Sequence, residues 1–101
     1  MAGNDILTII AVLKAKTGQR EALRSALKAL LLPTRAEPGC VDYALFQLTD
    51  EPDTFYVRES WRGQAALDAH VALPHFQAFA KNMDALLAEP LKLVRLTPVD
   101  A

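Results

Sequence analysis

From Ile6 to Lys14 the chain reads ILTIIAVLK, with aliphatic or β-branched residues on both alternating sets, a pattern that suits a strand covered on both faces. Thr17 and Gly18 end it. From Gln19 the spacing changes, and Ala22, Leu23, Ala26, Leu27, Leu30 and Leu31 form one stripe of an amphipathic helix, which Pro33 should stop or kink. Glu37, Pro38 and Gly39 then turn the chain. CVDYALFQLT (40–49) alternates at period two, Asp50 to Asp53 makes a turn, and TFYVRESW (54–61) alternates again, which predicts a hairpin. Gly63 caps a helix over QAALDAHVA (64–72), whose inner face carries Ala66, Leu67, His70 and Val71. Leu73 is pushed toward an extended conformation by the proline that follows it, and Pro74 suits the first position of a new helix through residue 87. That helix presents Phe76, Phe79, Ala80, Met83, Leu86 and Leu87, and Pro90 frees the chain for a last strand within 91–99.

The order is therefore β-α-β-β-α-β, an α+β ferredoxin-like arrangement in which both helices cover one face of a four-stranded antiparallel sheet. Nothing in residues 1–101 suggests a linker or repeat, so the chain reads as a single domain. Helices shield only one face, yet the first strand is apolar on both. The open face is expected to pack on a second copy of the same sheet, giving a homodimer of the dimeric α/β barrel kind.

Charge narrows the partners. Eleven Lys and Arg against twelve Asp and Glu are scattered without a basic run, which excludes a groove that tracks phosphates, so no nucleic-acid partner is expected. No apolar segment reaches the roughly 18 to 20 residues that cross a bilayer, and MAGNDILTII lacks the charged start and cleavage site of a leader peptide. A soluble, cytoplasmic protein without a membrane partner is expected. Cys40 is the only cysteine, so neither an internal disulfide nor a cysteine-based metal site can form, and beside Gly39 it reads as a small buried residue and not a nucleophile.

Both histidines lie in HVALPHF, five positions apart across Pro74. Five steps on an unbroken helix separate side chains by about 140°, and the proline breaks the helix, so this pair does not match the i, i+4 pattern of a helical zinc site. With no obvious third ligand, no metal is expected. His70 shares its helix face with Leu67 and so points toward the sheet, where it serves either as a hydrogen-bonded core residue or as a pocket residue. His75, near a helix start, is disfavoured as a cation by the helix dipole. In the strand, alternation places Phe55, Val57, Glu59 and Trp61 on one face and Tyr56, Arg58 and Ser60 on the other. A carboxylate in line with bulky apolar residues needs a partner, for which a histidine or a backbone amide would serve. Trp61 is core filler unless it faces a cavity, where it would make a flat wall for an aromatic ligand. Tyr43 and Phe46 lie on opposite faces of the partner strand, so only one of them can share the helix-side cleft.

The run Glu37-Pro-Gly-Cys, then Tyr43, the Asp-Glu-Pro-Asp turn and ESWRGQAALDAHVALPHF (59–76), resembles the antibiotic biosynthesis monooxygenase domain family, especially its small quinol-monooxygenase-like members. The likeness covers nearly the whole chain. It implies a homodimer of ferredoxin-like units, a cleft between sheet and helices, and oxidation of a quinol or polycyclic phenol by dioxygen with no cofactor. On that likeness Trp61 and Phe79 stack on the substrate ring, His70, oriented by Glu59, takes the phenolic proton, and His75, Phe76 and Tyr43 complete the substrate-binding set. Haem-degrading relatives use an asparagine in the first strand and a later histidine, whereas this chain has Ile9 to Val12 there and no histidine after His75. Another branch isomerises a phosphorylated signalling sugar and would need cations at the pocket, for which Lys92 and Arg95 are loose candidates. A non-catalytic dimeric binding module for hydrophobic metabolites is the third alternative. Leu73 stands where relatives often carry a small hydroxyl residue before Pro-His, which weakens the helix cap there.

Overall fold

The first strand runs through the middle of the sheet, where its run of aliphatic residues, apolar toward both faces, is paired on both edges. A computed structural model describes residues 5–100 of the chain; the first four residues of the segment weighed as a leader, and the last residue of the domain, lie outside the described part. Strand β1 (Leu7–Lys14) lies between β3 (Thr54–Trp61) and β4 (Lys92–Leu96), and β2 (Cys40–Gln47) pairs with the far edge of β3. All pairs are antiparallel, giving the ferredoxin-like order β2-β3-β1-β4. Ile6, expected in the first strand, lies outside it and is 44% exposed.

Register sets what each face carries. Ile9 lies opposite Glu59 on one side and Arg95 on the other, and Glu59 lies opposite Tyr43 on β2. The helix-side face therefore collects Ile9, Ala11, Leu13, Tyr43, Phe55, Val57, Glu59 and Trp61, all buried. The other face carries Ile10, Val12, Phe46, Tyr56, Val94 and Leu96, none of them buried.

Helix α1 (Arg20–Arg35) buries Leu23, Leu27 and Leu30 against the sheet. It runs two residues past Pro33, where a stop or kink was expected. A proline costs a helix the one bond its missing N–H would make, and this loss falls in the final turn, which Ala36 N–H closes by donating to the Leu32 carbonyl at 3.1 Å. The Arg35 Nε–H, donated to the Tyr43 carbonyl at 2.9 Å, ties the helix end to β2.

Helix α2 (Gln64–Ala72) begins at Gly63, whose φ of 91° lies in the left-handed region that glycine supplies at least cost. Leu73 is extended (φ −76°, ψ 152°), as the following proline requires, and helix α3 (Pro74–Ala80) starts on that proline. The single helix expected through residue 87 is instead interrupted. Asn82 bonds back to the Phe79 carbonyl through its N–H at 3.0 Å and to the Ala78 carbonyl through its side chain at 3.4 Å, a local competition that restarts the chain as the short helix α4 (Met83–Leu86). Ala88 N–H then reaches the Lys14 carbonyl at 2.8 Å, anchoring this exit to the end of β1.

Candidate active site

Between the helix-side face of the sheet and helices α1, α2 and α3 lies a cavity of about 70 Å³. Its lining is aliphatic and aromatic except for Tyr43, Glu59 and His70. Val71 and Leu93 line it yet are 38% and 50% exposed, so its apolar mouth opens between α2 and the edge strand β4. Phe76 and Phe79 from α3 supply the aromatic wall. An apolar chamber with a few fixed polar groups is the usual form of a small-ligand site.

His70 is 2% exposed, so its ring needs an internal partner. That partner is Glu37, in the turn between α1 and β2, whose Oε2 lies 2.8 Å from His70 Nδ1 and 2.6 Å from His75 Nε2. Sequence spacing pointed the other way. Five positions on an unbroken helix were read as unsuited to a shared site, and the break at Pro74 folds the two rings together, with centroids 5.9 Å apart. As the carboxylate can only accept, each histidine donates to it, and a neutral His70 is left with its lone pair on Nε2. Burial lowers the pKa of His70 and Glu37 opposes that shift, so the ring is poised to accept a proton and then be steadied as a cation.

Glu37 reaches this position because Gly39 lets its turn lie against α2. A side chain at Gly39 would run into the Ala66 side chain. Gly39→Val is therefore expected to cost about 1–3 kcal/mol by overpacking and to part Glu37 from His70; chemical denaturation, together with the chemical shifts of the His70 ring, reads both effects.

Glu59 finds its partner two residues along its own strand. Trp61 Nε1–H donates to Glu59 Oε1 at 2.9 Å, so the expected orientation of His70 by Glu59 is corrected: the carboxyl that orients His70 is Glu37, and Glu59 is held by the indole. Burial raises the Glu59 pKa to about 7, only partly offset by the Trp61 hydrogen bond. Trp61 itself is wholly buried and lies behind the His70 ring, with centroids 4.6 Å apart, so the residue expected to stack on a ligand packs against His70 and does not line the cavity. Tyr43 shares this side, its ring edge toward both Trp61 and His70, and burial pushes its hydroxyl pKa well up. Phe46, its neighbour on the opposite face, is 48% exposed.

Of the residues singled out by sequence, His70, Glu59, Tyr43, Phe76 and Phe79 line the cavity. His75 lies outside it, in a surface groove with Ala78, Phe79 and Asn82, and its hydrogen bond to the site runs to Glu37. Cys40, expected to be buried, is half-buried at the start of β2; burial and nearby Glu37 push its thiol pKa up, which leaves it a poor nucleophile. Glu37 was missed because it sits in a Glu-Pro-Gly turn, which by itself signals a change of direction and no chemistry. No spacing rule links a turn carboxylate to histidines 33 and 38 residues away.

Residues 6–82 match the family model described as "Antibiotic biosynthesis monooxygenase". The chain belongs to this family. It is 36% identical over 90 residues to "Putative monooxygenase YcnE" of Bacillus subtilis, covering 89% of this chain and 95% of that one. It is 30% identical over 87 residues to "Probable quinol monooxygenase YgiN" of Escherichia coli, covering 75% and 83%. An uncharacterised Synechocystis protein, 31% identical over 90 residues, is longer: the match covers 89% of this chain and 61% of its relative. The fold superimposes on a solved structure from Pseudomonas aeruginosa with a TM-score of 0.91 at 39% identity, covering 96% and 97%. Among the described residues no helix is long and apolar enough to cross a membrane.

Proposed function

We propose that the protein oxidises a quinol or a polycyclic phenol with dioxygen, its own side chains supplying all the catalytic groups. The observation that carries this reading is a neutral, buried histidine in an apolar cavity, backed by a carboxylate on its far nitrogen. A phenolate passes an electron to dioxygen far more readily than a phenol does, so the protein's task is to bind the ring, take its proton and exclude water. His70 takes the proton. Glu37 fixes the ring's tautomer and stabilises the imidazolium that forms. Phe76, Phe79 and Tyr43 hold the aromatic rings, and Trp61 holds His70 in place from behind. The monooxygenase names of the relatives support the reaction class, and the quinol in the name of the Escherichia coli relative supports the substrate class. A phosphorylated sugar fits less well, since neither Lys92 nor Arg95 lines the cavity.

Oxygen uptake tests the proposal, using hydroquinones and anthrone-type phenols and correcting for their spontaneous oxidation. Protein-dependent uptake that His70→Ala removes is the expected result. Quenching of Trp61 by the same compounds without uptake would instead mark a binding module.

We further propose that two copies pair through the open sheet face. Its centre is apolar, with Val12 opposite Tyr56 and Tyr56 opposite Phe46. Its rim is polar, where the Arg58 Nε–H donates to Asp42 at 2.9 Å and the same guanidinium lies 5.4 Å from the Phe46 ring centroid. Such a patch is what an isologous two-fold contact buries. Tyr56→Lys places a charge at its centre and is expected to yield a monomer by light scattering while the fold is kept. A variant that remains a dimer would move the interface elsewhere.

A further inference from the structure

The cluster of Glu37, His70 and His75 has a geometry that the proton chemistry above does not require. Its three candidate ligand atoms, one carboxylate oxygen and two imidazole nitrogens, all lie within 4.8 Å of one another. They come from the α1–β2 turn, from α2 and from α3, on a scaffold that fixes them before any ligand arrives. A base needs one carboxylate behind it. It does not need a second histidine on the same oxygen.

We propose that these three side chains form a binding site for a divalent transition-metal cation of the zinc, cobalt or nickel class. Two imidazoles and one carboxylate suit such borderline cations and do not suit calcium or magnesium, which take mainly oxygen ligands. Zinc binds nitrogen and oxygen donors at about 2.0–2.2 Å, which sets neighbouring donors in a tetrahedral shell roughly 3.3 Å apart. The hydrogen-bonded distances of 2.8 and 2.6 Å to Glu37 Oε2 would widen by roughly half to three-quarters of an ångström to admit the ion, and the two histidine nitrogens, within 4.8 Å of each other, would settle to the same spacing.

Charge favours the same occupant. The Glu37 side chain is 8% exposed, and among the described residues its hydrogen-bond and ion-pair partners are only the two histidines. Among the described residues no lysine or arginine pairs with it, and a buried carboxylate gains from a cation. Each neutral imidazole can free the liganding nitrogen by carrying its proton on the other one, so binding need not strip a proton from the cluster. Access is graded as well. Side-chain exposure rises from 2% at His70 through 8% at Glu37 to 23% at His75, and His75 faces the outer groove with Asn82, so an ion can enter there and leave the apolar cavity undisturbed.

One consequence rests on the proposed function. A cation on His70 Nδ1 and Glu37 removes the carboxylate from behind the base, so the bound metal inhibits the oxidation.

The binding itself is tested without substrate. Chelator-treated protein is titrated with cobalt chloride while absorption in the visible and the fluorescence of Trp61, the chain's only tryptophan, are followed. Because the indole and His70 ring centroids lie 4.6 Å apart, a cobalt ion on His70 is expected to quench that fluorescence at one equivalent per chain and to show the absorption bands of nitrogen and oxygen ligation. His75→Ala, at the most exposed of the three positions, and Glu37→Gln each touch a direct ligand and are expected to weaken binding by at least the roughly 10- to 100-fold that loss of an outer-shell partner costs. Saturation at one equivalent that survives unchanged in both variants, or no quenching at millimolar cobalt, would overturn the site. Since neither readout involves oxygen or a quinol, the site and the oxidation stand or fall separately.

Discussion

Glu37→Gln is expected to slow quinol-dependent oxygen uptake by about 10²- to 10³-fold, approaching the loss in His70→Ala, although Glu37 does not line the cavity. The amide keeps the size of the side chain and one acceptor oxygen, so the turn and the neutral cluster are retained. What it removes is the negative charge that stabilises imidazolium once His70 has taken the proton. The pH profile separates this from a packing effect. Burial already lowers the His70 pKa, so uptake in the wild type should fall on the acid side through a pKa below 6.5, where the ring becomes protonated and can no longer accept. Glu37 is the group that opposes the lowering, so in Glu37→Gln that acid limb should move to still lower pH as the plateau drops. An unchanged limb with a normal plateau would reduce Glu37 to a structural residue. Glu59, with a pKa near 7, faces the same cavity, and its ionisation should add a second inflection near neutrality that Glu59→Gln removes.

Glu59→Gln carries the second large effect, on stability, and its sign is unusual for a carboxylate. The folded-state pKa is raised to about 7 from 4.5. The folded protein therefore holds a proton that the unfolded chain has released, and the stability fully present below about pH 4.5 is lost as pH rises to about 7 and stays lost above it. Glutamine accepts the Trp61 Nε1–H as glutamate does and never ionises. The variant should match the wild type near pH 4 and be more stable by about 1–3 kcal/mol at pH 8. His70 has the opposite dependence, since its lowered pKa costs stability as pH falls below 6.5, so the wild-type curve alone mixes the two. The difference between wild type and variant, from denaturant unfolding at each pH, isolates Glu59. A variant less stable than the wild type at pH 8 would mean that the carboxylate is better compensated than burial beside Trp61 allows.

The strands were legible because their patterns are unambiguous. Alternation in TFYVRESW placed Glu59 and Trp61 among buried residues and Arg58 outside, and the structure agrees at every position from Phe55 to Trp61. The capping role of Gly63 and the extended Leu73 followed from backbone rules that act on one residue at a time. The departures have two causes, one tertiary and one local. Pro33 is tolerated because it falls in the last turn of a helix whose end is tied to β2, and the helix after Pro74 breaks at Asn82 because a side chain competes for its own backbone. The site was half legible. The cavity-lining residues could be named from their faces, but His70 and Glu59 were paired with each other when each had a different partner, Glu37 and Trp61. Both sit on neighbouring elements with a free polar group, and only the register of the α1–β2 turn against α2 decides which groups meet.

The central claim is that a cavity built from this chain's own side chains lets dioxygen oxidise a quinol with insertion of oxygen. The direct measurement is mass spectrometry of the product formed under ¹⁸O₂ by chelator-treated protein. A hydroquinone and one dioxygen balance as one hydroxyquinone and one water, so the account predicts one labelled oxygen atom in the product, lost together with turnover in His70→Ala. Quinone without label, accompanied by hydrogen peroxide, would show that only electrons are transferred and would contradict it.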